Sequence, residues 1–335
     1  MYILGLESSC DETSAAVVEM SEEGRFIRSN IVASQIDVHR LYGGVVPEIA
    51  SRAHIEAISK ITYEALEEAG ICLSDVGAIG VTAFPGLIGA LLVGVNFAKS
   101  LAYANNIPLV AVNHVHGHVS AALISEQELE PPFLALVVSG GHTSIYKVNS
   151  YTEYEEIGST RDDAVGESFD KVGRVIGMPY PGGSALDKLA CDGDPKAIAL
   201  PSPAIVGDNL DFSFSGLKTA ALNYINQMEQ RGEAINRADL AASYTLAVTK
   251  AISKKISSAI EQTGMKTLVM AGGVAANSHL RKAIGEVCGA KKVRFVCPPL
   301  KLCGDNAAMI AAAAYYEFLR GNLSDTSLNA SAVEV

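Results

Sequence analysis

Short apolar runs alternate with longer segments of helical periodicity along the chain. Tyr2 to Leu6 predicts a buried strand, Glu7 to Thr13 a polar turn, and Ser14 to Glu19 the returning strand. From Pro47 to Gly70 the apolar positions Ile55, Ile58, Ile61 and Ala65 recur at helical spacing, and Gly70 stands where a C-terminal cap belongs. Ala78 to Thr82 predicts another strand, Leu87 to Ala104 a long small-residue helix, and Pro108 to Val112 the opening of the next strand. Alternation of strands and helices at these lengths predicts α/β layers.

The opening pattern then repeats. Phe133 to Val138 is an apolar strand, Ser139 to His142 a tight turn, and Thr143 to Val148 the return, with Thr143-Ser144 in the place of Thr13-Ser14. Thr267 to Met270 predicts a strand ending in Ala271-Gly272-Gly273, with a helix from about Ala276. Two similar halves, each opening with a polar-tipped hairpin, predict a duplicated domain around one cleft. The boundary falls near residues 105–130. Taking it at 110 gives a first lobe of 1–110 and a second of 111–304, with 305–335 packing back on the first. Within that last stretch Asp305 to Phe318 predicts a helix, and Leu323 to Val335 a frayed tail.

Composition narrows the class. The chain has 335 residues, 49% hydrophobic and 19% charged, enough for a large core. No run approaches the ~18 apolar residues of a membrane helix. The first residues carry no basic stretch, which predicts no signal peptide. Six cysteines without a C-x-x-C pair exclude a thiolate zinc ribbon and fit reduced thiols in the cytoplasm. The formal charge of −11 is the opposite of a whole-surface RNA binder, so an RNA partner must meet a local basic patch or a second subunit.

The sharpest local chemistry is Asn113-His114-Val115-His116-Gly117-His118. On a helix, His114 and His118 share a face and can reach one metal. A zincin needs a Glu after its first His, and Val115 stands there, so a metalloprotease is disfavoured. Asp305, in Cys303-Gly304-Asp305-Asn306, is the candidate third ligand; two imidazoles and one carboxylate suit iron(II) or zinc. The Gly-rich turns Ser139-Gly140-Gly141, Pro181-Gly182-Gly183-Ser184 and Ala271-Gly272-Gly273-Val274 match neither a P-loop nor a dinucleotide fingerprint, but together offer backbone N–H cradles for anions. Asp170 and Asp187 flank the second turn, where a carboxylate accepts from a ribose or an amine, and Asn277 reads as an N-cap. From His279 to Lys301 six lysines and arginines face only Glu286, a candidate phosphate patch or else a solvated charged face.

At these residues the chain resembles, over essentially its full length, the bacterial tRNA N6-adenosine threonylcarbamoyltransferase family of the actin-like ATPase superfamily, once labelled O-sialoglycoprotein endopeptidase. The resemblance rests on Gly5 to Thr13, Gly43 to Arg52, the His114/His118 pair, Val137 to Thr143, Asp163 to Lys171, Asp211 to Thr219, Ala271 to Asn277 and Cys303 to Asn306. One departure is Phe84 in Phe84-Pro85-Gly86-Leu87, where family members usually carry Gly.

The resemblance implies a duplicated actin-like/RNase H-like α/β fold of two lobes with ATP or threonylcarbamoyl-AMP between them. It implies transfer of threonylcarbamoyl from that adenylate to N6 of adenosine 37 in tRNAs reading ANN codons. Metal ligands carry over onto His114, His118 and Asp305, for one divalent ion per subunit, Fe(2+) ahead of Zn(2+). Nucleotide contacts carry over onto Val137, Val138, Ser139, Gly140, Gly141, Asp170, Gly183, Asp187 and Asn277. Asp11 and Glu12 are the candidates for a general base toward the adenosine amine. Implied partners are tRNA, an inactive paralogue of the same fold (TsaB-like), a small P-loop ATPase (TsaE-like) and a separate synthase of the adenylate, with no membrane. The alternatives are an actin-like metabolite kinase and a non-catalytic ATP-binding scaffold.

Overall fold

The structure, a computed structural model, describes residues 1–202 and 209–333. Its elements run β1 (Tyr2–Glu7), β2 (Glu12–Ser21), β3 (Gly24–Ser34), α1 (Ile36–Arg40), α2 (Pro47–Ala69), β4 (Val76–Phe84), α3 (Ile88–Asn105), β5 (Leu109–Asn113) and α4 (His114–Ser125). There follow β6 (Phe133–Val138), β7 (Thr143–Ser150), β8 (Glu153–Ser159), α5 (Val165–Val175), α6 (Gly182–Ala190), α7 (Ser215–Arg231) and α8 (Arg237–Thr263). The chain closes with β9 (Thr267–Ala271), α9 (Ser278–Lys291), β10 (Arg294–Val296) and α10 (Ala307–Leu319). Among the described residues no helix is long and apolar enough to cross a membrane.

Two compact units result: Met1–Pro131 with Ser150–Glu153 and Pro298–Val335, and Pro132–Asn149 with Tyr154–Cys297. Residues 111–131, placed with the second half on sequence alone, group with the first. Each unit holds one five-stranded sheet, ordered β3-β2-β1-β4-β5 in the first and β8-β7-β6-β9-β10 in the second. In the first, β1 runs antiparallel to β2 and parallel to β4; in the second, β6 runs antiparallel to β7 and parallel to β9. The order and directions match element for element, so the fold is duplicated α/β.

β6 is apolar throughout and β1 is apolar from Ile3 to Leu6; both are buried, and helices cover both faces of β1. Along β1 the side chains alternate: Ile3 packs with Ala78 and the α10 face, while Leu4 and Leu6 pack with Ile61, Val95 and Ala98 of α2 and α3. The α10 face is almost all alanine, and glycines on the strands receive it. A Cβ on Gly5 would collide with the Ala307 carbonyl and come within 2.8 Å of the Ala311 nitrogen; one on Gly80 would collide with the Ala314 methyl. Ser14 of β2 accepts the Ala307 N–H at 2.9 Å, which fixes where α10 starts.

Two local expectations change. The predicted helix from Asp305 begins at Ala307, because the Asn306 side chain caps it by accepting the Met309 N–H at 3.1 Å. The tail is not frayed through residue 333; residues 334 and 335 lie outside the described residues. Ser324 N–H donates to the β5 carbonyl of Leu109 at 2.8 Å, Ser331 N–H to Ala83 at 2.9 Å, and Lys99 donates to the Leu328 carbonyl at 2.9 Å. Leu328 and Ala330 pack on the α2–α3 side of the core. Partners on β4, β5 and α3 turn a polar tail into ordered chain.

The glycine contacts give a contrasting pair of variants. Gly5→Ala overpacks the α10 seat and should destabilise by about 1–3 kcal/mol. Gly289→Ala, on α9 with nothing within 4 Å of the new methyl, should stabilise by roughly 0.5–1 kcal/mol. Urea unfolding midpoints should therefore move in opposite directions; equal shifts would remove the account of the α10 seat.

Candidate functional site

The turn between β1 and β2 is pinned from several sides within the first unit. Ser8 Oγ donates to the Ala90 carbonyl at 3.0 Å, and Leu87 N–H donates to the Ser9 carbonyl at 2.8 Å. Gly86 lies so close that a Cβ would sit 2.7 Å from the Ser9 oxygen. His54, itself held by Thr13 Oγ1 at 2.7 Å, lies 3.0 Å from the Cys10 carbonyl through Nε2. Gln35 N–H donates to the Asp11 carbonyl at 3.0 Å.

Glu7, placed in a polar turn on sequence alone, is instead the last residue of β1, with 0% of its surface exposed. Its Oε1 accepts the Ser9 N–H at 2.5 Å, and its Oε2 accepts the Thr82 hydroxyl at 2.6 Å. The same Oε2 lies 3.0 Å from His114 Nδ1, and Ser9 Oγ lies 3.1 Å from that nitrogen. Burial pushes the Glu7 carboxyl up, but the charge and hydrogen bond of His114, with the Thr82 hydroxyl, outweigh it and hold the group below its ordinary range. Burial likewise opposes charge on His114, while Glu7 and Asp305 raise it to about 9.

α4 begins directly at the end of β5 because the Asn113 side chain caps it, accepting the Val115 N–H at 2.8 Å. His114 and His118 therefore stand one turn apart on one face, their rings edge to face at 4.6 Å. His114 Nε2 lies 3.6 Å and His118 Nε2 3.3 Å from Asp305 Oδ1. Donor atoms of all three residues fall within 4.8 Å of one another. Ligands each about 2.1 Å from one ion are separated by at most ~4.2 Å, so small side-chain rotations complete a shared centre. Both nitrogens of His118 are buried with no hydrogen-bond partner. A polar group orphaned in this way costs about 1–3 kcal/mol, and a cation removes the deficit. Glu7 on Nδ1 of His114 leaves Nε2 as the ligating nitrogen, the arrangement by which an outer carboxylate orients a metal-binding imidazole. The residues fit a divalent metal.

Two carboxyl groups follow, Asp11 at the end of the turn and Glu12 at the start of β2. Asp11 is buried. Burial first, then the charges of Asp305 and Asp11, push Glu12 up to about 9, while Ser34 Oγ donates to it at 3.0 Å. His116, at the intervening position of α4, is pushed down to about 4 by burial.

The second unit gathers the remaining sequence candidates at the C-terminal ends of its parallel strands. Val137 and Val138 end β6, and Ser139 closes the turn, its N–H donating to the His142 carbonyl at 2.8 Å and its Oγ accepting the His142 N–H at 3.0 Å. Gly140 and Gly141 are exposed with open space around them. Gly166 meets this turn so closely that a Cβ would lie 2.8 Å from the Gly140 Cα. Gly272 does the same against Val138, whose carbonyl carbon would be 2.8 Å away. Asp170 Oδ1 accepts the Gly183 N–H at 2.8 Å, joining α5 to the start of α6. Asp187 accepts the Ser278 N–H at 3.0 Å and lies 2.7 Å from His279 Nδ1, and despite burial these bonds hold its carboxyl below the ordinary range. Asn277 caps α9 by accepting the Leu280 N–H at 2.8 Å. Exposed turn N–H groups and three helix N-termini thus meet at one end of the sheet, where open α/β sheets bind ligands.

Glu7, Ser9 and Thr82 are functional candidates that the sequence reading did not assign. The signal available was an acid closing an otherwise apolar strand.

Residues 26–312 match the family model for tRNA N6-adenosine threonylcarbamoyltransferase. A protein of that name from Clostridium botulinum (strain 657 / Type Ba4) is 52% identical over 328 residues, covering 98% of this chain and 96% of the relative. One from Clostridium perfringens (strain SM101 / Type A) is 52% identical with the same coverage. Among solved structures, HypF from T. kodakarensis superposes with a TM-score of 0.65 at 14% identity, over 98% of this chain and 49% of that one. Component A of (R)-2-hydroxyglutaryl-CoA dehydratase from Acidaminococcus fermentans gives 0.56 at 16% identity, over 95% and 98%. These likenesses show a fold shared with both structures.

The site predicts its own metal behaviour. Anaerobic dialysis against iron(II), and separately zinc, followed by elemental analysis should give one ion per chain. His118→Ala should abolish it, and Glu7→Gln should weaken affinity by about 10–100-fold. At a hundredfold excess over Kd the metal should add about 2.7 kcal/mol to the wild type and nothing to His118→Ala, read as a melting shift. An unchanged ion content in His118→Ala would remove the centre.

Proposed function

The chain belongs to the tRNA N6-adenosine threonylcarbamoyltransferase family, and on that premise we propose how its own residues carry the transfer. Members are transferases that modify tRNA. The donor proposed here is threonylcarbamoyl-AMP and the acceptor is N6 of adenosine 37 in tRNAs reading ANN codons. The observation that carries the reading is the buried cluster of His114, His118 and Asp305, in which neither nitrogen of His118 has a hydrogen-bond partner and its Nε2 faces Asp305 at 3.3 Å. A kinase or a scaffold of this fold has no use for it.

The donor's mixed anhydride is already activated, so the protein must hold it and draw charge away from the reacting carbonyl. A divalent ion on His114, His118 and Asp305, iron(II) as first candidate and zinc as second, would supply Lewis-acid polarisation of the threonylcarbamoyl group. Glu7, Ser9 and Thr82 fix the His114 ring. In the second unit the N–H groups of Gly140 and Gly141 take the phosphate, with Val137 and Val138 setting the height of the turn and Ser139 closing it through His142. Asp170, Gly183, Asp187 and Asn277 take the ribose and base edge. Asp11 and Glu12 form an acid pair in which one carboxylate can receive the proton leaving the adenosine amine, a contribution of about 10²–10⁴. An anticodon loop presents its base unstacked, which keeps the cost of access low.

The finer partners belong to the same proposal: a TsaB-like paralogue of the same fold, a TsaE-like P-loop ATPase and a separate adenylate synthase. Ile55 and Tyr63 on α2 and Tyr103 on α3 are 65%, 67% and 79% exposed, apolar side chains that a partner subunit would cover.

The test is mass spectrometry of nucleosides from tRNA lacking the modification. The tRNA is incubated with this protein, the proposed partners and threonylcarbamoyl-AMP. N6-threonylcarbamoyladenosine should form with the wild type. With His114→Ala the rate should fall by about 10²–10³, the equivalent of several kcal/mol of lost charge stabilisation. No product from the metal-loaded wild type would turn the assignment toward the kinase alternative.

A further inference from the structure

The charges of this acidic chain are divided very unevenly between its units. The first carries eight lysines and arginines against twenty-one acids; the second carries eighteen against sixteen. Within the second, residues 250–297 hold nine basic residues and two acids. We infer that the outer side of α9 and the β10 edge form a phosphate-binding track for the stem of the RNA substrate, an inference that rests on the tRNA-modifying reading above.

Three of the nine, Lys250, Lys254 and Lys255, lie on α8; the other six lie on α9, on β10 or beside them. Leu280, Ile284 and Cys288 bury one side of α9. Lys282 lies on the opposite, exposed side, with Glu286 one turn further along. Lys292 ends the helix in a left-handed conformation (φ 55°), and the chain turns directly into β10. β10 is the outer strand of its sheet. Arg294 N–H donates to the Lys266 carbonyl at 2.8 Å, bringing exposed Lys266 alongside exposed Arg294. Lys291 is held by Glu261 at the end of α8. Lys282 and Lys292 are ten residues apart on the helix, about 15 Å at 1.5 Å per residue. A nucleic-acid duplex presents a charge about every 1.7 Å of axis, so a track of this length meets several phosphates.

One end of the track lies at the ligand-facing turns. α9 starts at Asn277, and Ser278 and His279 bond Asp187 there. Arg281 stands in the first turn, its Nε donating to the Ala275 carbonyl at 3.1 Å. The track therefore leaves the end of the sheet where the adenylate contacts gather and runs away along the helix. Helix-dipole compensation accounts for Lys291 and Lys292 in the last turn. It does not account for Arg281 in the first turn, where a positive charge is unfavourable, or for Lys282 just after it. Contacts of this kind position an RNA without reading its bases, so they should serve every tRNA alike.

The test is Lys282→Gln/Lys292→Gln/Arg294→Gln in the full chain. Its control is Lys60→Gln/Lys147→Gln/Lys196→Gln, with the same change in net charge. The dissociation constant for end-labelled, unmodified tRNA is measured from 50 to 200 mM salt, without catalysis. The track variant should bind about tenfold more weakly at 0.15 M salt, and its log–log salt slope should fall by about 2–3. The loss should be equal for two tRNAs of different anticodon, and the control should keep the wild-type slope. Unchanged binding in the track variant, or an equal loss in the control, overturns the track. Failure of the nucleoside assay with intact, track-dependent RNA binding would instead count against the transferase mechanism alone.

Discussion

A carboxylate with no access to water is the constraint on which the first unit's site depends. Glu7 ends a strand covered on both faces, where leaving an ion unpartnered costs several kcal/mol. Its partners come from three places: the turn that follows it, the neighbouring parallel strand and the helix after β5. The Leu6↔Val81 register sets Glu7 level with Thr82, and a slip by one residue would turn Glu7 to the other face. Sheet register and the orientation of the His114 ring are therefore one specification. The strand order serves the chemistry because it satisfies a buried charge.

Asp305 reaches the histidines by the opposite route, through absence of side chain. Gly5 and Gly80 let α10 settle on the sheet backbone, and Ser14 and Asn306 fix its first turn. The carboxylate two residues before that helix is thereby placed against α4, on a chain segment that returns from nearly two hundred residues away. Contact between the α10 alanines and the strand glycines gives little specificity of shape by itself. It gives proximity, and the two polar caps supply the register.

Much of this was legible in the chain because periodicity is local. The paired hairpins, the central strands and the i, i+4 spacing of His114 and His118 follow from residue order alone. Glu7 was not legible, since a polar residue after an apolar strand reads as a turn until the sheet shows what surrounds it. The ordered tail was equally hidden: its partners, Leu109 and Ala83, are distant strand carbonyls. α8 is different. Leu240, Tyr244, Val248, Ile252, Ile256 and Ile260 repeat every four residues along it, a clear helical signal that the sequence reading left unassigned. Phe84, the departure from the family pattern, packs its ring against the α2–α3 side of the core, while Gly86 supplies the close approach to Ser9.

The net charge of −11 then needs a different reading from the one a whole-chain sum suggests. At physiological salt charges beyond about 8 Å are largely screened, so a phosphate responds to the residues near it and not to the total. The first unit concentrates acids, including the carboxylates around a candidate cation site. The second is nearly neutral and gathers nine of its eighteen basic residues in the stretch from α8 to β10, against two acids. A chain whose substrate is a polyanion and whose chemistry needs a cation has opposite electrostatic needs at different places. Segregating them by unit meets both, and the acidic sum follows from the larger number of acids in the first unit.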